Sequence, residues 1–183
     1  MSEIAIIGAG AWGTALAIAL GRKGTHRVRL WAHEQEVRDS ISQRHSNDLF
    51  LPGHTIPASV SATGHCPQAV RGAEIVVSVM PSHHCRRVFE EMSAFLTPEM
   101  LIVSATKGLE NATHLRMSEV ITQVISTAQR FTPRVGALSG PSFAKEVARG
   151  DPTAIAIASP DDGLAETVQR EFSDPQFLSL IHI

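Results

Sequence analysis

Ile4-Ala5-Ile6-Ile7-Gly8-Ala9-Gly10-Ala11-Trp12-Gly13-Thr14-Ala15 opens the chain as an apolar run that stops at a glycine. Three glycines then fall at G-x-G-x-x-G spacing, and small apolar residues continue from Ala15 to Gly21. That order reads as strand, tight turn, helix. Each glycine has a separate reason to be there. Gly8 makes the turn, Gly10 keeps side-chain bulk off a pyrophosphate, and Gly13 lets the helix press against the strand. Ala11 and Trp12 begin the helix, whose unpaired N–H groups and partial charge of roughly +0.5 attract a phosphate. The spacing alone is weak evidence. The strand before it and the helix after it make it a dinucleotide cradle. Trp12 packs either over the bound nucleotide or over a neighbouring loop.

The same alternation continues along the chain. Arg27–Trp31 reads as a second strand, Glu34–Arg44 as a helix, and His45–Gly53 as an irregular loop. Val60–Thr63 is a short strand, and Glu74–Val79 is a near-continuous apolar strand of the kind covered on both faces. It stops at Pro81-Ser82-His83-His84, before a helical pattern over Val88–Leu96. Leu101–Ser104 is again a strand, Leu115–Ala128 an amphipathic helix, and Val135–Ser139 a strand leading to a helix start at Pro141-Ser142. Thr153–Ala158 and a helix from Asp161 or Asp162 to about Phe172 complete the pattern. Repeating β-α units predict an α/β fold with a doubly wound, mainly parallel, Rossmann-like sheet over residues 1–177.

Bulk properties restrict the function. With 183 residues and a formal net charge of -2, the chain offers no basic footprint for nucleic acid or a membrane surface. Ile4–Gly21 lacks charge, yet its glycines, and Glu3 before it, fit a buried strand and helix better than a membrane span or signal peptide. Cys66 and Cys85 have neither metal nor redox spacing, so a cytoplasmic location is expected. His83 and His84 have no third ligand at metal spacing, so no metal is expected. Cys85 reads as packing, and His45 and His54 as loop residues. No repeat or low-complexity segment is evident.

Ligands of such sheets lie beyond the carboxyl ends of the strands. Those ends are Gly8–Gly13, His33–Glu34, Pro81–His84, Thr106–Lys107 and Gly140–Ala144. His33 followed by Glu34 points both ways, to a 2′-phosphate and to a ribose diol, which favours NADPH and leaves NADH open. Lys107 is one of only three lysines, with Lys23 and Lys145, and follows a buried strand where its ammonium would meet an anion. Gly140 and Ser142 offer N–H groups and a hydroxyl to an anion.

At this point the chain resembles a known family. Gly8–Ala15, Asn47-Asp48-Leu49-Phe50-Leu51-Pro52-Gly53, Val79-Met80-Pro81-Ser82-His83, Ala105-Thr106-Lys107-Gly108-Leu109-Glu110 and Ser139-Gly140-Pro141-Ser142-Phe143-Ala144-Lys145-Glu146 are similar, in order, to the bacterial type of NAD(P)-dependent sn-glycerol-3-phosphate dehydrogenase. The resemblance covers the chain to about Phe177. It implies reversible reduction of dihydroxyacetone phosphate to glycerol 3-phosphate with NADPH or NADH, for phospholipid synthesis. It implies cofactor contacts from Ala11, Trp12, His33, Lys107 and Ala144, and substrate contacts from Lys107, Gly140 and Ser142. A second, all-helical domain and a homodimer are implied for the full-length enzyme, with a proton-donating lysine in an Ala/Val-Lys-Asn context.

Two features depart from that pattern. No lysine follows Lys145, and residues 178–183 do not match the family's continuation. The expectation is therefore that the helical domain and its catalytic lysine lie beyond Ile183, that residues 178–183 are an atypical tail, and that this cofactor-binding half has little or no turnover alone. His33 stands where many members carry arginine. The alternatives are a related ketopantoate or hydroxyacid reductase, and a dinucleotide-binding module without catalysis.

Overall fold

The computed structural model describes residues 1–182, in which strands and helices alternate. They are β1 (Ser2–Ile7), α1 (Ala11–Arg22), β2 (His26–Trp31), α2 (Gln35–Arg44), β3 (Val60–Thr63), α3 (Cys66–Val70), β4 (Ile75–Ser78), α4 (Ser82–Met92), β5 (Leu101–Ser104), α5 (Met117–Gln129), β6 (Arg134–Ser139), α6 (Ala144–Arg149), β7 (Thr153–Ala158), α7 (Asp162–Phe172) and β8 (Phe177–His182). The eight strands form one sheet in the order β3-β2-β1-β4-β5-β6-β7-β8. Every neighbouring pair is parallel except β6 with β7. The expected doubly wound, mainly parallel α/β sheet is therefore the fold found.

Two hydrophobic layers sandwich the sheet. One holds α1, α2, α6 and α7 against residues such as Ile4, Ile6, Leu30, Val77 and Ile157. The other holds α3, α4 and α5 against Ala5, Ile7, Val76 and Ile102. Cover on both faces explains why Ile75–Ser78 and Leu101–Ser104 are buried at every position. Among the described residues, no helix covers the second face beyond α5. There Leu178 and Leu180 of β8 are 52% and 47% exposed, while Phe177 turns into the first layer.

Several element boundaries differ from the reading of the sequence. Helix α4 starts at Ser82, ahead of the Val88–Leu96 pattern, and ends at Met92. Pro81 is the N-cap of α4, and His83 and His84 lie in its first turn. Pro81 is tolerated there because the first amides of a helix have no intrahelical partner. Helix α3 was missed because five residues are too few to display a period. Pro141-Ser142 does not start a helix either. Phe143 is the N-cap and α6 begins at Ala144. A Cβ on Gly140 would come within 2.9 Å of the Ala154 carbonyl oxygen and Ile155 Cα of β7, and the chain bends at Pro141 before α6. Residues 177–182, whose last five fall in the expected tail, pair in register with β7.

Candidate functional site

The glycine turn sits where the strand order reverses, between the carboxyl ends of β1 and β4. Gly8 has φ +124°, and a Cβ on it would overlap the Val79 carbonyl oxygen at the end of β4. A Cβ on Gly13 would overlap the Gly8 carbonyl oxygen. Both glycines are therefore demanded by the fold itself. Gly10 differs: its backbone is ordinary (φ -66°, ψ -176°), and a Cβ there would meet nothing within 4 Å. Packing gives no reason for a glycine at position 10, whereas close approach of a ligand to the main chain does.

Beside the turn, α1 starts with no side-chain cap and no acidic residue in its first turn. Its positive end is left without a partner from the chain, as an anion site requires. A cleft of about 260 Å³ leads away from it, lined by Gly8, Ala9 and Gly10, by Trp31, His33 and Glu34 at the end of β2, and by Phe50. Val79, Met80, Pro81, His84, Arg87 and Val88 form the opposite wall. The glycine floor beside an uncapped helix start suits a pyrophosphate, so the residues present fit the nicotinamide dinucleotide that the sequence implies.

A buried polar link holds this floor in place. Asn47, fully buried, donates through Nδ2 to the Ala9 carbonyl and to Thr14 Oγ1, both at 2.8 Å. Thr14 Oγ1 in turn donates to the same carbonyl at 3.2 Å, and Phe50 N–H donates to Asn47 Oδ1 at 3.2 Å. The irregular loop after α2 is thereby pinned beneath the glycine turn, with Leu51 buried and Leu49 and Phe50 left at the surface. At the end of β2, Arg38 Nη1 donates to the carbonyls of Ala32 and His33 at 2.9 and 2.7 Å.

Of the residues singled out in the sequence, Gly8, Gly10 and His33 line the cleft, and Ala11, Trp12 and Gly13 continue directly from its floor. Lys107, Gly140, Ser142 and Ala144 lie outside it. Lys107 is exposed on the loop after β5 and makes no ion pair or hydrogen bond among the described residues. Its neighbour Gly108, at φ +96°, approaches Ser82 at the start of α4, which sets this loop along the same edge of the sheet as Pro81. Arg86 fixes the loop from below. Its guanidinium grips both carboxylate oxygens of Glu110 at 2.8 and 2.9 Å and reaches Gln123 of α5. That grip, with a hydrogen bond from Thr113, holds the Glu110 carboxyl down at about 2. Lys23, by contrast, is tied up in structure: its ammonium donates to the carbonyls of Arg170, Glu171 and Ser173 at the end of α7.

Helix α6 runs alongside α1. Arg22 at the end of α1 donates to the carbonyls of Val147 and Ala148 at the end of α6, so the two helices aim their starts at the same edge. Ala144, Ala11 and Trp12 pack on one apolar layer. Among the described residues, Ser142 Oγ reaches only the Gly140 carbonyl, loosely, at 3.5 Å. Cys85 is fully buried, and burial pushes its thiol up to about 11, so it is protonated at neutral pH. A wider groove of about 770 Å³ lies under the bare sheet face, near Arg116, Gln123 and His182. The helix that starts there is already capped, because Glu119 accepts from the Arg116 N–H at 2.9 Å.

Asn47, Arg86, Arg87 and the cleft walls Trp31, Phe50 and Met80 were not assigned roles from the sequence. A buried asparagine in a loop and an Arg–Glu pair 24 residues apart have no local signature.

A family model described as the N-terminus of NAD-dependent glycerol-3-phosphate dehydrogenase matches residues 3–165. The glycerol-3-phosphate dehydrogenase (NAD(P)+) of Koribacter versatilis is 63% identical over 177 residues, which span 97% of this chain and 52% of that protein. That of Acidobacterium capsulatum is 48% identical, over 95% of this chain and 52% of its own. The crystal structure of the Coxiella burnetii glycerol-3-phosphate dehydrogenase superposes with a TM-score of 0.90 at 30% identity, covering 99% of this chain and 54% of that one. A PanE/ApbA family ketopantoate reductase from Ralstonia eutropha, at 20% identity and a TM-score of 0.72, shares the fold alone. The chain spans about half the length of the curated relatives it matches.

Proposed function

The chain belongs to the NAD-dependent glycerol-3-phosphate dehydrogenase family, and from there we propose that it binds NADPH or NADH in the glycine-turn cleft and forms the nucleotide half of an enzyme that interconverts dihydroxyacetone phosphate and glycerol 3-phosphate. The open space above Gly10, between two glycines that packing requires, is the observation that carries this reading. The amides of Ala11 and Trp12 take the pyrophosphate at the start of α1. His33 meets the adenosine ribose. Lys107 gives its free ammonium to the substrate's charge at the nicotinamide end, with Gly140 and Ser142 on the far side and Ala144 beside the cofactor.

When bound, the nicotinamide supplies the reducing equivalent for the substrate carbonyl carbon. The chain's own residues bind and orient, and proton transfer to the carbonyl oxygen requires a further group. No lysine follows Lys145 in these 183 residues, so this half alone turns over slowly or not at all. General acid–base help is worth about 10²–10⁴-fold. The complete enzyme acts as a homodimer in the cytoplasm.

Of the chain's two tryptophans, Trp31 lines the cleft and Trp12 lies in the first turn of α1 next to its floor, so their fluorescence reports occupancy. Titration with NADPH and NADH is expected to quench it, with energy transfer to the reduced nicotinamide. Absence of quenching and of calorimetric heat at millimolar nucleotide would overturn the binding reading. Brisk oxidation of NADPH by dihydroxyacetone phosphate with the 183-residue chain would overturn the reading of weak turnover. Nucleotide binding without any turnover, even with the longer relatives' second half added, would favour a non-catalytic module.

A further inference from the structure

The α4 lining of the cleft that holds His33 carries one cation that neither the glycine motif nor the strand ends bring into play, Arg87, with His84 one turn before it. We propose that Arg87, with His84 beside it, is the specificity-determining group that makes this site favour a 2′-phosphorylated dinucleotide, NADPH, over NADH. The inference rests on the reading of the cleft as a dinucleotide site.

The pyrophosphate lies over the glycine turn, so the adenosine ribose lies toward the end of β2, at His33 and Glu34. A 2′-phosphate there brings close to two negative charges, and a ribose diol brings none. At the end of β2 itself the charges oppose each other, because the Glu34 carboxylate follows the His33 imidazole. The Arg38 guanidinium at this strand end is engaged by the carbonyls of Ala32 and His33, so the cation free to meet a phosphate is sought elsewhere on the cleft lining. Arg87 is the group there that is always charged, and its planar fork matches two phosphate oxygens at once. Its present partner is Glu91, one helical turn on, at 2.6 Å. Both side chains are about half exposed, so this pair is weakly held and is readily exchanged for a phosphate.

His84 is placed to assist. Its ring lies 4.0 Å from that of His83. Desolvation and the neighbouring His83, Arg87 and His33 hold its pKa below the ordinary imidazole value, so a phosphate entering beside it favours its protonated, donating form. The first turn of α4 also contains no acidic residue, so the positive end of the helix adds to the same field.

The test compares dissociation constants for NADPH and NADH, and for 2′,5′-ADP against ADP as competitors, in the unsubstituted chain and in Arg87→Gln, Arg87→Lys and Glu91→Gln. We expect NADPH and 2′,5′-ADP to bind the unsubstituted chain more tightly than their unphosphorylated counterparts. Arg87→Gln should weaken both phosphorylated ligands 10-fold or more and leave NADH and ADP within twofold. Arg87→Lys should restore part of the loss, and Glu91→Gln should leave NADPH binding unchanged or tighter. Equal weakening of NADPH and NADH, no change in either, or a preference of the unsubstituted chain for NADH overturns the proposal while the cleft reading stands. If no nucleotide binds the unsubstituted chain, the cleft reading itself fails.

Discussion

Replacing Gly10 and Gly13 separately with alanine divides the fold's demands from the ligand's. At Gly13 the new methyl collides with the Gly8 carbonyl oxygen and lies 3.5 Å from the Val79 side chain. Main chain cannot swing aside as a side-chain tip does, so the cost sits near the top of the overpacking range, about 3 kcal/mol. Alanine's better helix propensity returns about 1 kcal/mol. A net loss of about 2 kcal/mol corresponds to a melting temperature lower by roughly 4–8 °C in a chain of this size. At Gly10 the methyl meets nothing. A poorer N-cap costs about 0.5–1 kcal/mol, and the stiffer unfolded chain offsets about as much. The melting temperature should therefore move by no more than about 2 °C. The methyl does occupy the space in which a pyrophosphate would approach the turn. Losing one charge-assisted hydrogen bond costs about 1.5–3 kcal/mol, or roughly 10- to 100-fold in affinity. Thermal melts read the first quantity and NADPH titrations the second. A Gly10→Ala chain that binds NADPH as tightly as the unsubstituted one refutes the reasoning, as does a Gly13→Ala chain with an unchanged melting temperature.

Other outcomes follow from the same geometry. Asn47→Ala strips the part-buried Phe50 N–H of its acceptor and removes buried donors from the Ala9 carbonyl and Thr14 Oγ1. It should cost about 1–3 kcal/mol in urea denaturation and also weaken NADPH binding. Arg86→Gln unties Glu110 from α4. Amide exchange over residues 105–116 should rise while that of the glycine turn does not, and any measurable dihydroxyacetone phosphate binding should fall, because Lys107 loses its fixed loop. Asp161 caps α7 by accepting from Leu164 N–H at 3.0 Å, and the Arg134 guanidinium beside it holds its carboxyl down at about 2. A depressed carboxylate contributes stability that is complete above the ordinary 3.8 and is lost as the pH falls through about 2. Acid titration of the unsubstituted chain should show this loss, and Asp161→Asn should reduce it.

Much of the sheet was readable because its strands are buried on both faces. Runs such as Ile75–Ser78 and Leu101–Ser104 need no partner to be recognised, and the glycine turn has a fixed local spacing. Short elements and caps were harder. Helix α3 has too few residues for a period, and the start of α6 depends on how tightly Gly140 sits against β7, a contact between strands. Individual roles divide in the same way. Gly8 and Gly13 could be assigned from spacing, whereas the Asn47 link and the Arg86–Glu110 grip join residues far apart in the chain.

Residue order was sufficient to specify the β-α alternation, the phosphate-cradling turn and the family, because each rests on local spacing and on apolar runs that any burying fold must use. Three dimensions were needed to bring α4 across from β2. Only the reversal of strand order between β1 and β4 sets His84 and Arg87 opposite His33, and a juxtaposition made by topology leaves no trace in the spacing of a single chain.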